Sequence, residues 1–334
     1  MKQAATSPGR ACPPAYGYSP SVFARAPDLS AEVLYVAGGL YGNLPALLEI
    51  ERMATLERER ARLVFNGDFH WFDADADDFL AIEDGVRRHT ALRGNVETEI
   101  AGDDAANGCG CAYPESVPDD DVARSNRILD RLRAAARAAQ RRAPGLSRRL
   151  AGLPMHLVAD VAGARIGIVH GDPWSLAGWR FAHDALHSEA HRERIAGVFE
   201  QAAVDGFASS HTCLPALKAF DTALGDRFVV NNGAAGMPNF RGTRHGVLTR
   251  IAALPVPAAL HAARLYGADF DGLYVDALAV RFDASAFEAR FARLWPAGSD
   301  AAVSYGRRIV DGPDFSIDDA LDRSTPSSCI ALAA

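Results

Sequence analysis

The sequence predicts an α/β protein, and three observations support this fold class. Short apolar runs end in glycine, as in AEVLYVA (31–37) before Gly38-Gly39. Amphipathic stretches follow several of these runs, and alternation of strand, loop and helix is typical of α/β architecture. Of the 334 residues, 49% are hydrophobic and 23% are charged, which is an ordinary globular composition for one large or two modest domains.

The first hundred residues carry the clearest strand and helix pattern. Predicted strands cover residues 31–37, 62–66 and 90–92, and predicted helices cover residues 44–60 and 75–88. Asn43 is a candidate N-cap of the first helix. Pro45 lies in the first turn of that helix, where its missing N–H is tolerated.

A polar loop and an Arg- and Ala-rich stretch interrupt this pattern, which predicts a helical insertion near residues 98–153. The later strands are predicted at residues 155–161, 165–170, 204–209, 227–231, 246–252 and 273–282. The later helices are predicted at residues 181–202, 285–294 and 300–311.

The two ends of the chain carry no such pattern. Residues 1–28 are rich in Pro, Gly and Ser, so we expect a flexible N-terminal tail. Residues 313–334 are polar and predict a C-terminal tail. A single domain over residues 29–312, including the insertion, therefore remains as the folded part.

Charge and cysteine content limit the class of partner and the compartment. The net charge of −7 argues against a nucleic-acid-binding surface, which would be basic. No apolar run is long enough for a transmembrane helix, and the N-terminus lacks the apolar core of a signal peptide. The odd number and the spacing of the five cysteines fit no disulfide framework. We therefore expect a cytoplasmic protein with a small-molecule partner and without a membrane partner; its oligomeric state stays open.

Polar side chains directly follow several of the predicted strands. They are Asp68, Asn95, His170 and His211. Ligands of open α/β sheets bind beyond the carboxyl ends of the strands, so these four side chains are expected to converge. A carboxylate, an amide oxygen and two imidazoles together suit a transition metal. The alternative is that each residue caps its own loop.

Six short motifs occur in order along the chain: GGLYGN (38–43), NGDFHWFD (66–73), RGNVE (93–97), VHGDP (169–173), SSHTC (209–213) and VVNNGAAGMPNFRGTRHGVL (229–248). Their order resembles that of the calcineurin-like metallophosphoesterase superfamily. The corresponding family segments are GDxHGN, GDxxD, GNHD/E, a lone histidine at a strand end, GHTH and NPGSxGxPR. The resemblance covers about residues 30–312 and implies a central β-sandwich flanked by helices.

The resemblance also implies a metal centre. In that family two metal ions at the strand ends hold the phosphate and a bridging hydroxide. Matched residue by residue, the ligands of the second metal are Asp68 (the bridging carboxylate), Asn95, His170 and His211. The resemblance makes Mn, Fe or Zn the candidate divalent ions, and a phosphoester or another small anion the candidate substrate.

The ligands of the first metal and the catalytic histidine are missing from the matching positions. The replacements are Gly39 for an aspartate, Tyr41 and Cys213 for two histidines, and Val96 for the catalytic histidine. We therefore expect one metal ion instead of two. Tyr41 and Cys213 either fill the space of the lost metal or act as extra ligands of an unusual second site.

Loss of the general acid costs a factor of about 10²–10⁴, so other residues are needed for proton transfer. The candidates for catalysis are Asp68 and His170, with His70 and His245 as replacements for the lost acid–base histidine. The candidates for binding the anion are Asn95, Gly233 and Arg241.

Three functions are consistent with these residues. The favoured one is a phosphoesterase-like hydrolase with a remodelled mononuclear site. The second is a non-catalytic relative that binds a ligand or a partner. The third is a mononuclear non-haem iron oxidase or oxygenase, because Asp68, His170 and His211 form the two-histidine, one-carboxylate set that holds iron on other folds.

Overall fold

The structure is a computed structural model that describes residues 7–102 and 106–321. Its strands are β1 (Leu29–Ala31), β2 (Val33–Ala37), β3 (Ala61–Asn66), β4 (Thr90–Leu92), β5 (His156–Val161), β6 (Ala164–Val169), β7 (Gly206–Ser209), β8 (Ala216–Thr222), β9 (Gly225–Asn231), β10 (Gly246–Ala252), β11 (Arg264–Phe270) and β12 (Leu273–Val280). Its helices are α1 (Leu44–Ala54), α2 (Ala76–Val86), α3 (Asn95–Ala101), α4 (Asp119–Arg142), α5 (Leu146–Ala151), α6 (His183–Leu186), α7 (Glu189–Ala202), α8 (Ala284–Leu294), α9 (Asp300–Asp311) and α10 (Ile317–Ala320).

The strands form two six-stranded sheets, ordered β11-β12-β10-β2-β3-β4 and β1-β5-β6-β7-β9-β8. Leu34 of β2, Ile166 of β6 and Ile251 of β10 belong to one buried apolar cluster with members from both sheets. Because β2 is buried on both of its faces, it is apolar throughout instead of alternating. The predicted β-sandwich flanked by helices is confirmed.

Parallel strands bring several loops to one edge of the sandwich. Strands β2, β3 and β4 are parallel in the first sheet, and β6, β7 and β9 are parallel in the second. At this edge Asn66 Nδ2 donates a hydrogen bond of 2.7 Å to the carbonyl oxygen of Val169, which ties the end of β3 to the end of β6. The loops after β3, β4, β6 and β7 therefore meet.

Helix α1 begins where the sequence predicts. The side chain of Asn43 accepts a hydrogen bond of 3.0 Å from the backbone N–H of Ala46, and Pro45 lies in the first turn. Leu47 and Ile50 are buried in the cluster that covers the outer face of the first sheet. The burial of each such side chain contributes about 1.5–3 kcal/mol.

The insertion is helical, as predicted. Helix α4 has three acidic residues in its first turn and two arginines in its last, which suits the helix dipole. It packs against α2, α3 and α9. In the loop that precedes α4, Cys109 and Cys111 form a disulfide, which the cysteine spacing does not predict.

The prediction of a flexible tail over residues 1–28 is wrong for residues 7–28. Short 3₁₀ helices form at Pro14–Tyr16 and Pro20–Phe23, and Tyr16 and Phe23 are buried. Isolated aromatic residues between prolines give no helix or strand period, so the sequence pattern does not reveal that they are anchored in the core. Residues 1–6 lie outside the described residues.

The C-terminal tail is also partly folded. Phe315 is buried, and Ser316 forms a capping box at the start of α10. Residues 313–321 are therefore packed onto the domain, and residues 322–334 lie outside the described residues.

Other differences concern single elements. The predicted helix over residues 181–202 is divided, since α6 ends at Leu186 and α7 begins at Glu189. Strands β1, β8 and β11 were not predicted.

Among the described residues, no helix is both long and apolar enough to cross a bilayer. The cytoplasmic location stays a prediction.

Candidate metal centre

Four strand ends deliver the predicted ligands to one place. Asp68 follows β3, Asn95 opens α3 just after β4, His170 follows β6, and His211 follows β7. Ligand atoms of Asp68, His170 and His211 lie within 4.8 Å of one another, and all three residues are buried. In the described residues this is the group of carboxylate, imidazole and thiol side chains that is placed to hold an ion.

His170 Nε2 lies at the middle of the cluster. It is 3.3 Å from Asp68 Oδ2, 3.2 Å from Asn95 Oδ1 and 3.2 Å from His211 Nδ1. The four side chains therefore converge on a single point, as the sequence predicts.

Backbone carbonyls fix which atoms of the two imidazoles face this point. His170 Nδ1 lies 2.8 Å from the carbonyl oxygen of Asn66, and His211 Nε2 lies 3.0 Å from that of Cys111. Because a carbonyl oxygen only accepts, each of these nitrogens carries the hydrogen and donates it. In the neutral imidazoles His170 Nε2 and His211 Nδ1 are then the bare nitrogens, and both are directed into the cluster. A second proton on His170 would lie on Nε2 and donate to Asp68.

Asn95 and Asp68 are oriented in the same way. Asn95 Nδ2 donates a hydrogen bond of 2.9 Å to the carbonyl oxygen of Cys109, so its Oδ1 faces His170. Asp68 Oδ1 accepts a hydrogen bond of 3.2 Å from the backbone N–H of Val96, which leaves Oδ2 in the cluster. With both imidazoles neutral, acceptor atoms this close repel one another unless a cation lies among them, so the donor set fits a metal ion in place of a proton on His170.

The pKa values of these side chains follow from their mutual contacts. Burial opposes ionisation of Asp68, but the charge and hydrogen bond of His170 outweigh it and lower the pKa of Asp68. Burial lowers the pKa of His170, but Asp68 raises it above its usual value. Burial and the neighbouring His170 lower the pKa of His211 to about 4, so its imidazole is neutral at pH 7 and available as a ligand.

Close backbone approach explains two glycines of the motifs. A Cβ at Gly94 would lie 2.2 Å from Asp68 Oδ1, and a Cβ at Gly67 would lie 2.5 Å from His170 Nδ1. Asp68 itself adopts a left-handed conformation, with φ of 54°. Such strain in a non-glycine residue is typical of functional sites, where the surroundings hold the conformation.

Glu97 holds the loop that carries Asp68. Its carboxylate accepts backbone hydrogen bonds from Asp68 at 2.8 Å, Gly94 at 2.9 Å and His70 at 3.3 Å. Burial and the nearby charge of Asp68 raise the pKa of Glu97. Glu97 is therefore a positioning residue that joins the loops after β3 and β4.

Known structures share this fold. No protein-family profile matches the chain, and no curated protein matches it at a significant level. A metallophosphoesterase from Sphaerobacter thermophilus matches with a TM-score of 0.50 and 16% identity, over 84% of this chain and 100% of that one. The chain has the calcineurin-like metallophosphoesterase fold. A hypothetical protein from Pyrococcus horikoshii OT3 also matches with a TM-score of 0.50 and 18% identity, over 85% of this chain and 99% of that one.

Within this metallophosphoesterase fold, the residues at the first-metal positions make contact with each other. A Cβ at Gly39 would lie 2.3 Å from Tyr41 Cζ, so the Tyr41 ring occupies the space that a side chain at residue 39 would need. The hydroxyl of Tyr41 lies 2.7 Å from Cys213 Sγ. Burial raises the pKa of both groups, which favours the neutral pair. This arrangement favours packing over an extra metal site.

His70 is not brought to the metal centre. It is fully buried, with Nδ1 2.7 Å from Asp73 Oδ2 and Nε2 3.2 Å from Glu83 Oε2. Its ring stacks on Phe79 with centroids 3.7 Å apart. Both ring nitrogens are thus engaged away from the site, which corrects the prediction of His70 as an acid–base replacement.

Three other predicted site residues also lie elsewhere. His245 Nδ1 is 3.1 Å from the carbonyl oxygen of Gly246, on the half-buried approach to β10. Arg241 is exposed and pairs with Asp314. The buried backbone N–H of Gly233 donates to Asn231 Oδ1 at 3.0 Å. None of the three lines the cavity at the metal centre, so their predicted roles in proton transfer and anion binding are not supported by their positions.

A cavity of about 180 Å³ opens beside the cluster, and Asp68, Asn95 and His211 form part of its wall. The remaining wall includes residues that sequence reasoning did not find: Trp71, Tyr113, Trp179, Tyr305 and Arg308. Trp71 lies inside the motif NGDFHWFD, so its closeness to Asp68 in the sequence could have identified it as a residue of the site. The others come from the insertion, from the loop after β6 and from α9, and no sequence pattern connects these segments.

Proposed function

We propose that the protein is a metal-dependent phosphoesterase that uses one divalent ion and acts on a small phosphorylated anion. The observation that carries the proposal is the convergence of ligand atoms from Asp68, Asn95 and His211 on His170 Nε2, each at 3.2–3.3 Å. An ion held there supplies Lewis-acid chemistry, which activates water and polarises a phosphoryl oxygen.

The donor set favours Mn, Fe or Zn over Mg or Ca. Two imidazole nitrogens, one carboxylate and one amide oxygen are typical ligands of transition metals, whereas Mg and Ca prefer oxygen ligands alone. Asp68 is the one carboxylate among the residues placed to hold the ion. A divalent ion with a single anionic ligand retains positive charge, which favours an anionic substrate.

The side chains at the cavity are better suited to binding and orienting a substrate than to transferring protons. Val96 replaces the acid–base histidine of the resemblance, and its backbone N–H holds Asp68 instead. Burial raises the pKa of the Tyr41 and Tyr305 phenols, so they are weak acids. We therefore expect slow turnover of alkyl phosphates, and faster turnover of esters whose leaving group needs no protonation.

Metal content and hydrolysis of p-nitrophenyl phosphate and bis-p-nitrophenyl phosphate with Mn, Fe and Zn test the proposal. We expect one ion per chain and activity that His170→Ala abolishes. His191→Ala is the matched control, because His191 is exposed on α7. Two ions per chain would refute the mononuclear site, and no bound ion would refute the metal-dependent function.

The same preparation separates the two alternatives. A protein that binds one ion and phosphate but turns over neither ester with any metal is a binding relative. That outcome is consistent with the filled first-metal position at Tyr41 and Cys213. Oxygen uptake with ferrous iron that His170→Ala abolishes would support an oxidase or oxygenase.

A further inference from the structure

Arg308 of α9 reaches the cavity and is held there by backbone carbonyls. Its Nη2 donates a hydrogen bond of 2.7 Å to the carbonyl oxygen of Cys213, and its Nε donates one of 3.1 Å to that of Pro238. No carboxylate of the described residues pairs with Arg308, and no acceptor among them binds its Nη1. The guanidinium is therefore oriented but not neutralised.

Arg308 is the one cationic side chain of the cavity wall, judged over the described residues. It lines the wall together with Asp68 and His211 of the metal centre. A guanidinium donates planar, paired hydrogen bonds to the oxygens of phosphate or carboxylate. The cavity thus has, near Cys213, a fixed hydrogen-bond donor for anions that is separate from the residues placed to hold the metal.

Much of the remaining wall is aromatic, and the rings contact one another. The rings of Trp71 and Tyr305 pack edge to face with centroids 6.3 Å apart, and those of Tyr113 and Trp179 lie 5.8 Å apart. Trp179 Nε1 donates a hydrogen bond of 2.9 Å to the carbonyl oxygen of Cys111. Such rings offer flat apolar surfaces that favour a planar aromatic group.

The volume of the cavity limits the size of that group. A cavity of about 150 Å³ in a protein core holds one benzene molecule. The volume of about 180 Å³ found here is enough for a single ring with a small anionic group, whereas a nucleotide base with its sugar would extend out of the cavity.

We propose that this cavity selects a phosphate monoester of a single aromatic ring, with Arg308 binding the anionic group and Trp71, Tyr113, Trp179 and Tyr305 packing around the ring. The inference rests on the proposed function, because it names the substrate class of the same site. It adds Arg308 and the four aromatic residues as determinants of specificity.

Binding of non-hydrolysable phosphonates to the metal-loaded protein, measured by calorimetry, tests the ring. Phenylphosphonate is expected to bind about tenfold or more tightly than methylphosphonate, because the ring buries apolar surface. 1-Naphthylphosphonate is expected to bind more weakly than phenylphosphonate, because a second ring exceeds the cavity. Equal affinity for the phenyl and methyl ligands would overturn the aromatic selection.

Variants test the anion-binding part and the ring-binding part of the subsite separately. Arg308→Gln is expected to weaken phenylphosphonate and methylphosphonate by the same factor, about 10- to 100-fold. Tyr305→Leu should narrow the preference for phenyl over methyl and leave methylphosphonate affinity unchanged. Arg307→Gln is the matched control, since Arg307 is the exposed neighbour of Arg308 on α9. An unchanged affinity in Arg308→Gln would remove Arg308 from the subsite.

Two measurements keep the test decisive. Thermal unfolding checks that Arg308→Gln is folded, and Arg308→Lys, which keeps the charge without the planar fork, should show an intermediate loss of affinity. Binding is read without turnover, so selective binding with no hydrolysis would refute the proposed phosphoesterase activity and leave this inference standing. Hydrolysis together with equal affinity for phenylphosphonate and methylphosphonate would do the reverse.

Discussion

The two groups of side chains at the matched metal positions differ in how their polar atoms are satisfied. Around His170 the side chains bring acceptor atoms together, and these atoms need a metal ion or a proton on His170 among them. Opposite them Tyr41 and Cys213 hydrogen-bond to each other, and the Tyr41 ring fills the space above Gly39. The first group of side chains is suited to a bound cation, whereas Tyr41 and Cys213 satisfy each other as they stand. The comparison teaches that the positions matched to the first metal hold a packed pair of side chains and not an open cavity.

Loss of the carboxylate in the first group is expected to have the largest effect. Asp68→Asn keeps the shape of the side chain but removes the single anionic ligand, so metal affinity should fall by at least about 100-fold, beyond the cost of losing a supporting residue. Calorimetric titration with Zn or Mn measures it. Asp226→Asn, at an exposed aspartate, is the control. Undiminished affinity would show that the ion binds elsewhere.

Loss of the positioning residue should rank next. Glu97→Gln turns one of the two oxygens that together hold three backbone N–H groups into an NH₂ donor, so the loop with Asp68 loosens and metal affinity should fall about 10- to 100-fold. The same titration measures this, and a Glu97→Gln protein with the metal affinity of wild type would restrict Glu97 to a role in folding.

The packing interpretation of Tyr41 and Cys213 can be tested by restoring metal-ligand types at these positions and at Gly39. Gly39→Asp alone forces a side chain into the Tyr41 ring and should destabilise the protein by about 1–3 kcal/mol without adding an ion. Combined with Tyr41→His and Cys213→His it restores the ligand types of the resemblance, and metal analysis should then rise from one ion per chain to two. A second ion with Gly39→Asp alone would contradict the packing interpretation.

The smallest expected effect comes from the contact between Tyr41 and Cys213. Tyr41→Phe removes one hydrogen bond from a buried pair and should lower the free energy of unfolding by about 0.5–1.5 kcal/mol. Metal content should not change. A loss of bound metal in Tyr41→Phe would instead make Tyr41 a ligand.

The candidate metal centre could be predicted because its side chains follow strand ends. Strands such as β4 and β10 lie at their predicted residues, since apolar runs bounded by glycine are clear signals. Asp68 and His170 follow such runs directly, so their convergence depends on sheet topology more than on loop details. The order of the motifs supplied that topology.

The cavity wall could not be predicted for the opposite reason. Arg308 lies in α9, and nothing in its local pattern distinguishes it from the exposed Arg307 beside it. His70 was misassigned because closeness to Asp68 in sequence does not determine direction after a left-handed residue. These positions depend on how distant helices dock, which hydrophobic periodicity does not encode.

The loop before α4 gives the insertion a role in the chemistry of the site. The carbonyl oxygen of Cys109 orients Asn95, and that of Cys111 orients His211, so two of the four ligands take their direction from one short segment. Trimming the protein to its shared sandwich would release both side chains while leaving every ligand in the sequence. A shortened version would therefore keep the four side chains of the site and lose the hydrogen bonds that orient two of them.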